Sequence, residues 1–460
     1  MAKIRDHCGV VAVAGPNAPV IAYDALLHLQ HRGKESAGIS FLGPDGIETT
    51  KGMGRIPDAL DRSKLPLSPK AAIAHTRYST SGSSSIDDAH PLDAAGFSLA
   101  FNGTITNFVN RGSTDTKFAA EFIERRLSSG MCMEETMRSF LSAADGAYSL
   151  LTLSENGGIT AIRDPRGFKP LSVGRIGNNI VIASETLAIT KLGGEVMYDV
   201  RPGEMIRVAD GITRTMLVEN ADVAACSFEY VYFARSASKI DGVSVEESRI
   251  RIGRLLAENH GVDADVVIPI LGSGRAFAIG YSEASGIRIE DAVVKLEDTR
   301  SFIDPNPDNR RSIVERKLAI VGDVERKRVV LVDDSIVRGD TMTVLISMFR
   351  NAGAAEVHVR IGSPPVIFPC YMGIDFPTRE ELMANRKSIS GMEKDMGADS
   401  IRYITLSELH EGIERKDLCD ACFSGDYPLR DSTLKTATKV AIRGAKKAVS
   451  DTAQAGKIFS

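Results

Sequence analysis

Near residue 245 the hydrophobic pattern of this chain changes its rhythm, and that change limits the folds open to it more than any other feature. Before it, short β-rich runs follow one another: CGVVAVAG, AGISFLG, AAIAHTRYST, FSLAFNGTIT, AYSLLTLS, ITAIRD and NIVIASET. Gly, Asn and Asp punctuate these runs, and helical patterns interrupt them near 20–31, 116–128 and 134–143. Strand runs broken by helices on that scale predict sheets packed with helices in layers, an α+β unit. After the change, SRIRIGRLLAENHG, AFAIGYSEASG and TMTVLISMFRNAG read as helices, alternating with the strand-like ADVVIPIL, RVVLVDD and EVHVRIGSP. Strands apolar at every position have both faces covered, which in this alternation predicts a parallel sheet in an α/β unit. The length of 460 residues also asks for more than one core. The predicted units are 8–225, 226–430 and a tail over 431–460.

A formal charge of −4 gives no footprint for a nucleic-acid partner. No apolar run approaches the roughly 20 residues that cross a bilayer, and MAKIRDHCGVVAVAG lacks a secretory pattern. The expectation is a cytoplasmic protein without a membrane partner. The tail, with Lys435, Lys439, Arg443, Lys446, Lys447 and Lys457, reads as a solvated basic helix. The cysteines are Cys8, Cys132, Cys226, Cys370, Cys419 and Cys422, and in a cytosolic chain they suggest catalysis or metal binding before disulfides. Cys132, in a helix-like segment, is expected to be a buried, inert thiol.

Cys8 opens a strand-like run and precedes Gly9, which permits close backbone approach. With residues 1–7 removed, its own α-amine would sit beside the thiol and serve as its base near neutral pH. A thiolate attacking a carboxamide needs two donors for the tetrahedral oxyanion. Asn102 and Gly103 offer a side-chain amide and an unhindered N–H. Arg77 offers a planar fork for a substrate carboxylate, and Asp115 a partner for an ammonium. The runs DHCGVVAV, LQHRGKESAGI, HTRYSTSG, FNGTITN and TDT, then RDPRGFKPLSVG, IASET and RPGEM, resemble the amino-terminal-nucleophile glutamine amidotransferases in kind and order. The resemblance implies a four-layer glutaminase domain with Cys8 as nucleophile, Arg77 and Asp115 gripping glutamine, and Asn102 and Gly103 as the oxyanion hole. Phe101 stands where that family commonly has His. The segment from Asn102 to Asp115 is also shorter than usual, although its twelve intervening residues span up to about 40 Å when extended.

RVVLVDDSIVRGDTM is the second informative segment: an apolar strand, the acids Asp333 and Asp334, a short loop with Gly339, and a helix beginning near Thr341. Paired carboxylates at a strand end can accept from the neighbouring hydroxyls of a ribose, and the loop at a helix start offers N–H groups to a phosphate. Such sites lie at the carboxyl edge of parallel sheets. The segment resembles the phosphoribosyl-diphosphate signature of type I phosphoribosyltransferases. That resemblance implies substrate contacts by Asp333, Asp334, Ser335, Gly339, Thr341 and Arg300, with Mg²⁺ on the diphosphate beside Asp333 and Asp334 and few protein ligands.

FEYVYFAR, SPPVIFPCYMGID and DLCDACFSGDYP extend the likeness nearly end to end, and the whole resembles the amidophosphoribosyltransferase family. What this implies is conversion of glutamine and phosphoribosyl diphosphate to phosphoribosylamine, diphosphate and glutamate, with purine nucleotide effectors and a homo-oligomer. Four departures bear on the acceptor. Asp340 replaces a usual Thr, and Leu271-Gly272-Ser273 replaces Pro-Asp-Ser, with Arg275 available to compensate. Glu297 and Asp298 accompany Arg300, and Arg235 is followed by Ser-Ala-Ser. A homologue with another sugar-phosphate acceptor, or a regulatory nucleotide-binding protein, would also fit these changes. Cys226, Cys370, Cys419 and Cys422 match positions that ligate a 4Fe-4S cluster in one branch of the family. Their spacing would equally serve tetrahedral zinc, or no metal.

Overall fold

The computed structural model describes residues 8–78, 85–108, 114–219, 222–270, 272–296, 318–374 and 378–430. Residues 1–7, Leu271, Glu297, Asp298, Arg300 and the tail 431–460 lie outside the described residues.

The amino-terminal unit is built on two antiparallel sheets, its strands numbered in chain order. One sheet runs β11 (Glu195–Asp199), β9 (Ser172–Ile176), β10 (Asn179–Ala183), β1 (Gly9–Ala14), β4 (Ala71–Arg77), β2 (Ser36–Gly43), β3 (Gly46–Met53). The other runs β13 (Ile212–Met216), β12 (Glu204–Val208), β8 (Ile159–Arg163), β7 (Gly146–Ser154), β6 (Phe97–Ile105), β5 (Leu92–Ala94). The strands are apolar at successive positions because both faces are covered. On β1, Val10 and Ala12 join the filling between the sheets, while Val11 and Val13 pack with Ala18, Ala22 and Leu26 of the helix Ala18–Leu27. On the far side Phe97, Leu99 and Phe101 meet Ala119, Ile123, Met137 and Phe140 of the helices Asp115–Ser128 and Met133–Ala143. Helix, sheet, sheet, helix is the result. One expectation fails here: Cys132 is exposed, at the amino-terminal cap of Met133–Ala143, because a cap residue sits where the chain enters the helix from solvent.

The second unit holds a parallel sheet in sequence order: Val266–Pro269, Arg328–Asp333, Glu356–Ile361 and Ser400–Tyr403. The helices Val245–His260, Gly274–Ser285 and Leu406–Ile413 cover one face, and Asp340–Asn351 and Ile389–Met396 the other. Gly274 and Gly280 let helix and strand or helix and helix approach closely; a Cβ on Gly280 would lie 1.9 Å from the Ile250 carbonyl oxygen.

Buried polar groups join the units. Glu185, from the first, accepts from His31 Nε2 at 2.6 Å and from Arg32, and also from the Arg235 N–H and the Ser238 hydroxyl of the second. Arg32 reaches on to Glu229 at 2.7 Å. Arg163 and Arg415 share Asp241 from opposite units. Burial of such charges is tolerated only when each is paired. Among the described residues no helix is long and apolar enough to cross a membrane.

Candidate active sites

Cys8 lies just before β1, half-buried, its Sγ 3.7 Å from the Tyr78 carbonyl oxygen. Gly9 follows in a tight place: a Cβ there would sit 3.0 Å from Leu29 and 3.1 Å from Thr76. Burial pushes the Cys8 thiol up, while the Tyr78 contact and the charges of Arg77 and Lys169 pull it down. A thiol held up in this way needs a base to become a nucleophile.

β4 ends on Arg77, paired in register with Ser36 of β2, so Arg77 is delivered beside Cys8 by the sheet itself. β6 carries Asn102 and Gly103. Asn102 is fully buried, and neither amide atom has a partner among the described residues. A buried, unpaired amide costs a folded protein roughly 1–3 kcal/mol, which is retained where a ligand will satisfy it. Gly103 has no room for a side chain, since a Cβ would fall 2.0 Å from the Ala147 carbonyl oxygen on β7.

Asp115 is the first residue of its helix, behind the cap Thr114, and its Oδ2 accepts the Ile105 N–H at 3.0 Å. The acid therefore stands at the end of the strand that presents Asn102 and Gly103. Burial raises its carboxyl to about 6 against the pull of the Ile105 bond. The Phe101 ring points away from the thiol into the outer core, stacked 5.8 Å from Tyr148. An aromatic there is accommodated by packing.

The second site lies at the carboxyl edge of the parallel sheet. Asp333 ends the strand, and the Asp334 N–H donates to its Oδ1 at 2.9 Å. Asp334 accepts from Ser335 at 2.6 Å and from Ser273, which ties the loop after the first parallel strand to the acid pair. Burial lifts both carboxyls, and the repulsion of Asp334 lifts Asp333 further. Two acids that cannot both ionise readily are poised to take up a cation or hydroxyl donors. Gly339, at φ +84°, turns the chain into the helix, which begins at Asp340 with Thr341 second. A carboxylate thus stands in the first turn, where the backbone N–H groups are free to meet an anion. Arg275, the residue expected to compensate, has its guanidinium 2.9 Å from both oxygens of Asp291 in an exposed pair.

The four remaining cysteines come together from three segments. Cys226 faces Cys419 in a short parallel pairing, Cys422 takes Ile367 and Phe368 N–H groups on its carbonyl, and the Met372 N–H points at Cys370 Sγ at 3.3 Å. Burial raises all four thiols, and the charge of neighbouring members of the set raises Cys226, Cys419 and Cys422 further. Among the described residues no group of three or more His, Cys, Asp or Glu side chains is arranged to hold a single metal ion.

A glutamine amidotransferase domain family matches residues 75–191, and a phosphoribosyl transferase domain family matches 244–361. An amidophosphoribosyltransferase of Methanocaldococcus jannaschii is 41% identical over 92% of this chain and 97% of its own. That of Bacillus subtilis is 39% identical over 92% and 94%. The solved glutamine phosphoribosylpyrophosphate amidotransferase from B. subtilis, complexed with ADP and GMP, superposes with a TM-score of 0.84 at 38% identity, covering 92% of this chain and 98% of that one. The chain belongs to the amidophosphoribosyltransferase family.

Within this family member, Cys8 stands just before β1, Arg77 ends β4, Asn102 and Gly103 lie on β6, and Asp115 accepts the N–H of the last residue of β6. The fold gathers Asp333, Asp334, Ser335, Gly339 and Thr341 at the edge of the parallel sheet. Arg249 was not anticipated. It is buried, donates to the Tyr230 and Ala234 carbonyls and the Ser236 hydroxyl, and lends its charge to Asp334. Nothing in SRIRIG distinguishes it from a surface arginine on a helix. Glu185 of IASET and Arg32 of LQHRG lie inside recognisable motifs, but their burial comes from packing that the motifs do not carry.

Proposed function

We propose that this protein transfers ammonia from glutamine to phosphoribosyl diphosphate, giving 5-phosphoribosylamine, diphosphate and glutamate, the first step of de novo purine synthesis. Family membership supports the reaction. The observation that carries it into this chain is the unpartnered Asn102 amide, beside Gly103 and in line with Asp115. Once residues 1–7 are removed, the Cys8 α-amine takes the thiol proton and Sγ attacks the carboxamide carbon. Asn102 and Gly103 take the oxyanion; Arg77 and Asp115 hold the substrate carboxylate and ammonium. The Cys8 α-ammonium gives that thiol proton to the amide nitrogen as the tetrahedral adduct collapses and expels ammonia, and water, deprotonated by the freed amine, releases glutamate and restores the Cys8 thiol. At the second site Asp333 and Asp334 accept from the ribose hydroxyls, Ser335, Gly339 and Thr341 take the 5′-phosphate, and Arg300 serves the diphosphate. Mg²⁺ would reach the site with the diphosphate and supply charge neutralisation of the leaving group.

Cys226, Cys370, Cys419 and Cys422 fit a thiolate-ligated 4Fe-4S cluster: two are buried and two partly buried, they come from three segments of the second unit, and Cys226, Cys419 and Cys422 are destabilised as free thiolates by other members of the set. A polynuclear cluster needs four spread thiolates, where zinc needs four converging on a point. The cluster would pin the Leu418–Phe423 segment to the junction of the units. Purine nucleotide effectors, a homo-oligomer and a cytoplasmic location complete the reading. The test is release of glutamate and diphosphate from glutamine plus phosphoribosyl diphosphate, with Cys8→Ala alongside. The wild type should release both, and Cys8→Ala should keep only ammonia-dependent synthesis. A mature mass that retains Met1 or Ala2 in active protein would remove the amine base. Asp340 in the first helical turn favours one alternative, a different sugar-phosphate acceptor. Glutamate released without diphosphate would select it.

A further inference from the structure

The space between the two sheets of the amino-terminal unit is filled by Val10, Ile73, Ala100, Leu151 and their neighbours. At its catalytic end this filling gives way to two imidazoles. His75 on β4 and His90 before β5 are both buried, with ring centroids 4.3 Å apart. His75 Nε2 lies 3.0 Å from the Phe101 carbonyl oxygen and 3.1 Å from His90 Nδ1. A carbonyl only accepts, so the His75 proton is on Nε2. Its Nδ1, buried with no partner among the described residues, is then the bare nitrogen, and the His90 ring meets both His75 Nε2 and the same Phe101 carbonyl. Burial keeps both rings neutral, His75 well below the ordinary histidine range and His90 down to about 3.

The acceptor of this bond is significant. β5 pairs with β6 only at Phe97, Ser98 and Leu99. Beyond Leu99 that edge of β6 has no strand beside it among the described residues, and its next residues are Ala100, Phe101, Asn102 and Gly103. His75 supplies the partner that a neighbouring strand would have given. Since the Asn102 amide has no partner of its own among the described residues, its direction is set by the backbone that carries it.

We propose that His75, braced by His90, is a positioning residue of the glutaminase: it holds the Phe101 carbonyl and so aims the Asn102 amide and the Gly103 N–H at the oxyanion. This rests on the glutaminase reading given above. The carbonyl that His75 holds is that of Phe101, next to Asn102 and four residues before the Ile105 N–H that Asp115 accepts, so its release weakens the transition state before the ground-state hold of Arg77 and Asp115.

The full chain is used, with His75→Phe, His75→Gln and His90→Phe. Glutaminase kcat and KM are measured, with affinities for a glutamine-derived aldehyde, which forms a tetrahedral adduct on Cys8, and for glutamate, which does not. His75→Phe should lose about tenfold or more in kcat and in aldehyde affinity, leaving glutamate affinity unchanged. His75→Gln, whose amide reaches as far as Nε2, should recover most of the loss, and His90→Phe should fall between. An unchanged kcat in folded His75→Phe, equal losses for aldehyde and glutamate, or no rescue by Gln would overturn the proposal. If His75→Phe does not fold, His90→Phe must still lose more aldehyde affinity than His75→Gln, and equality sinks the idea. A wild type inactive on glutamine, or an active Cys8→Ala, would instead refute the glutaminase reading itself.

Discussion

Replacing Asp115 by Asn should make the empty protein more stable at neutral pH while weakening its hold on glutamine. Burial raises this carboxyl from 3.8 to about 6, opposed by the Ile105 N–H bond. A raised acid keeps its proton in the folded state to higher pH than in the unfolded chain. Its destabilising effect is therefore absent below about pH 4, grows between about 4 and 6, and is fully present above. At about 1.4 kcal/mol per tenfold in acid strength, the gap corresponds to roughly 3 kcal/mol at most. Partial solvent access brings this to about 1–2 kcal/mol. The glutamine ammonium would recover that energy by pairing with the carboxylate. In the Cys8→Ala background, glutamine affinity measured by calorimetry should rise with pH through a midpoint near 6 and level off above about 7. Asp115→Asn should bind roughly ten- to a hundredfold more weakly and lose this midpoint, since a charged hydrogen bond is worth about 1.5–3 kcal/mol. Urea denaturation should show Asp115→Asn gaining stability at pH near 7.5 and converging with the parent near 4.5. A variant less stable at neutral pH, or one whose binding keeps the midpoint, would refute the reasoning.

Gly103→Ala should abolish glutaminase activity or folding, because its Cβ would overlap the Ala147 carbonyl at 2.0 Å; normal melting with full activity would contradict this. Anaerobically purified protein should be brown, absorb near 400 nm and carry about four irons per chain, and Cys422→Ser should lose them; stoichiometric zinc would overturn the cluster. Asp340→Thr should tighten phosphoribosyl-diphosphate binding by about 1 kcal/mol or more in calorimetry, by removing a charge from the phosphate end of the helix; unchanged affinity would mean that the carboxylate points elsewhere. Arg32→Met should destabilise the protein by about 3–5 kcal/mol in denaturant melts, because Glu185 and Glu229 stay buried without their cation; a loss within about 0.5 kcal/mol would argue that the pairing contributes little.

The change of rhythm near 245, the acid pair after an apolar strand and the Asn-Gly after FSLAF were legible in the chain because each is local. A strand covered on both faces must be apolar throughout, and a phosphate loop must be contiguous, so the chemistry is written in neighbouring residues. Arg77 and Asp115 were legible as residue types in motifs, but sheet register placed Arg77 at the end of β4 opposite Ser36, and a helix start placed Asp115 at the end of β6. Tertiary structure alone decided the rest. It buried Arg249, turned Cys132 outward, set Arg275 beside Asp291 and set His75 against the bare edge of β6. Those outcomes depend on what packs against a residue from tens or hundreds of positions away. Burial and charge pairing are sums over such distant neighbours, and spacing along the chain does not carry them.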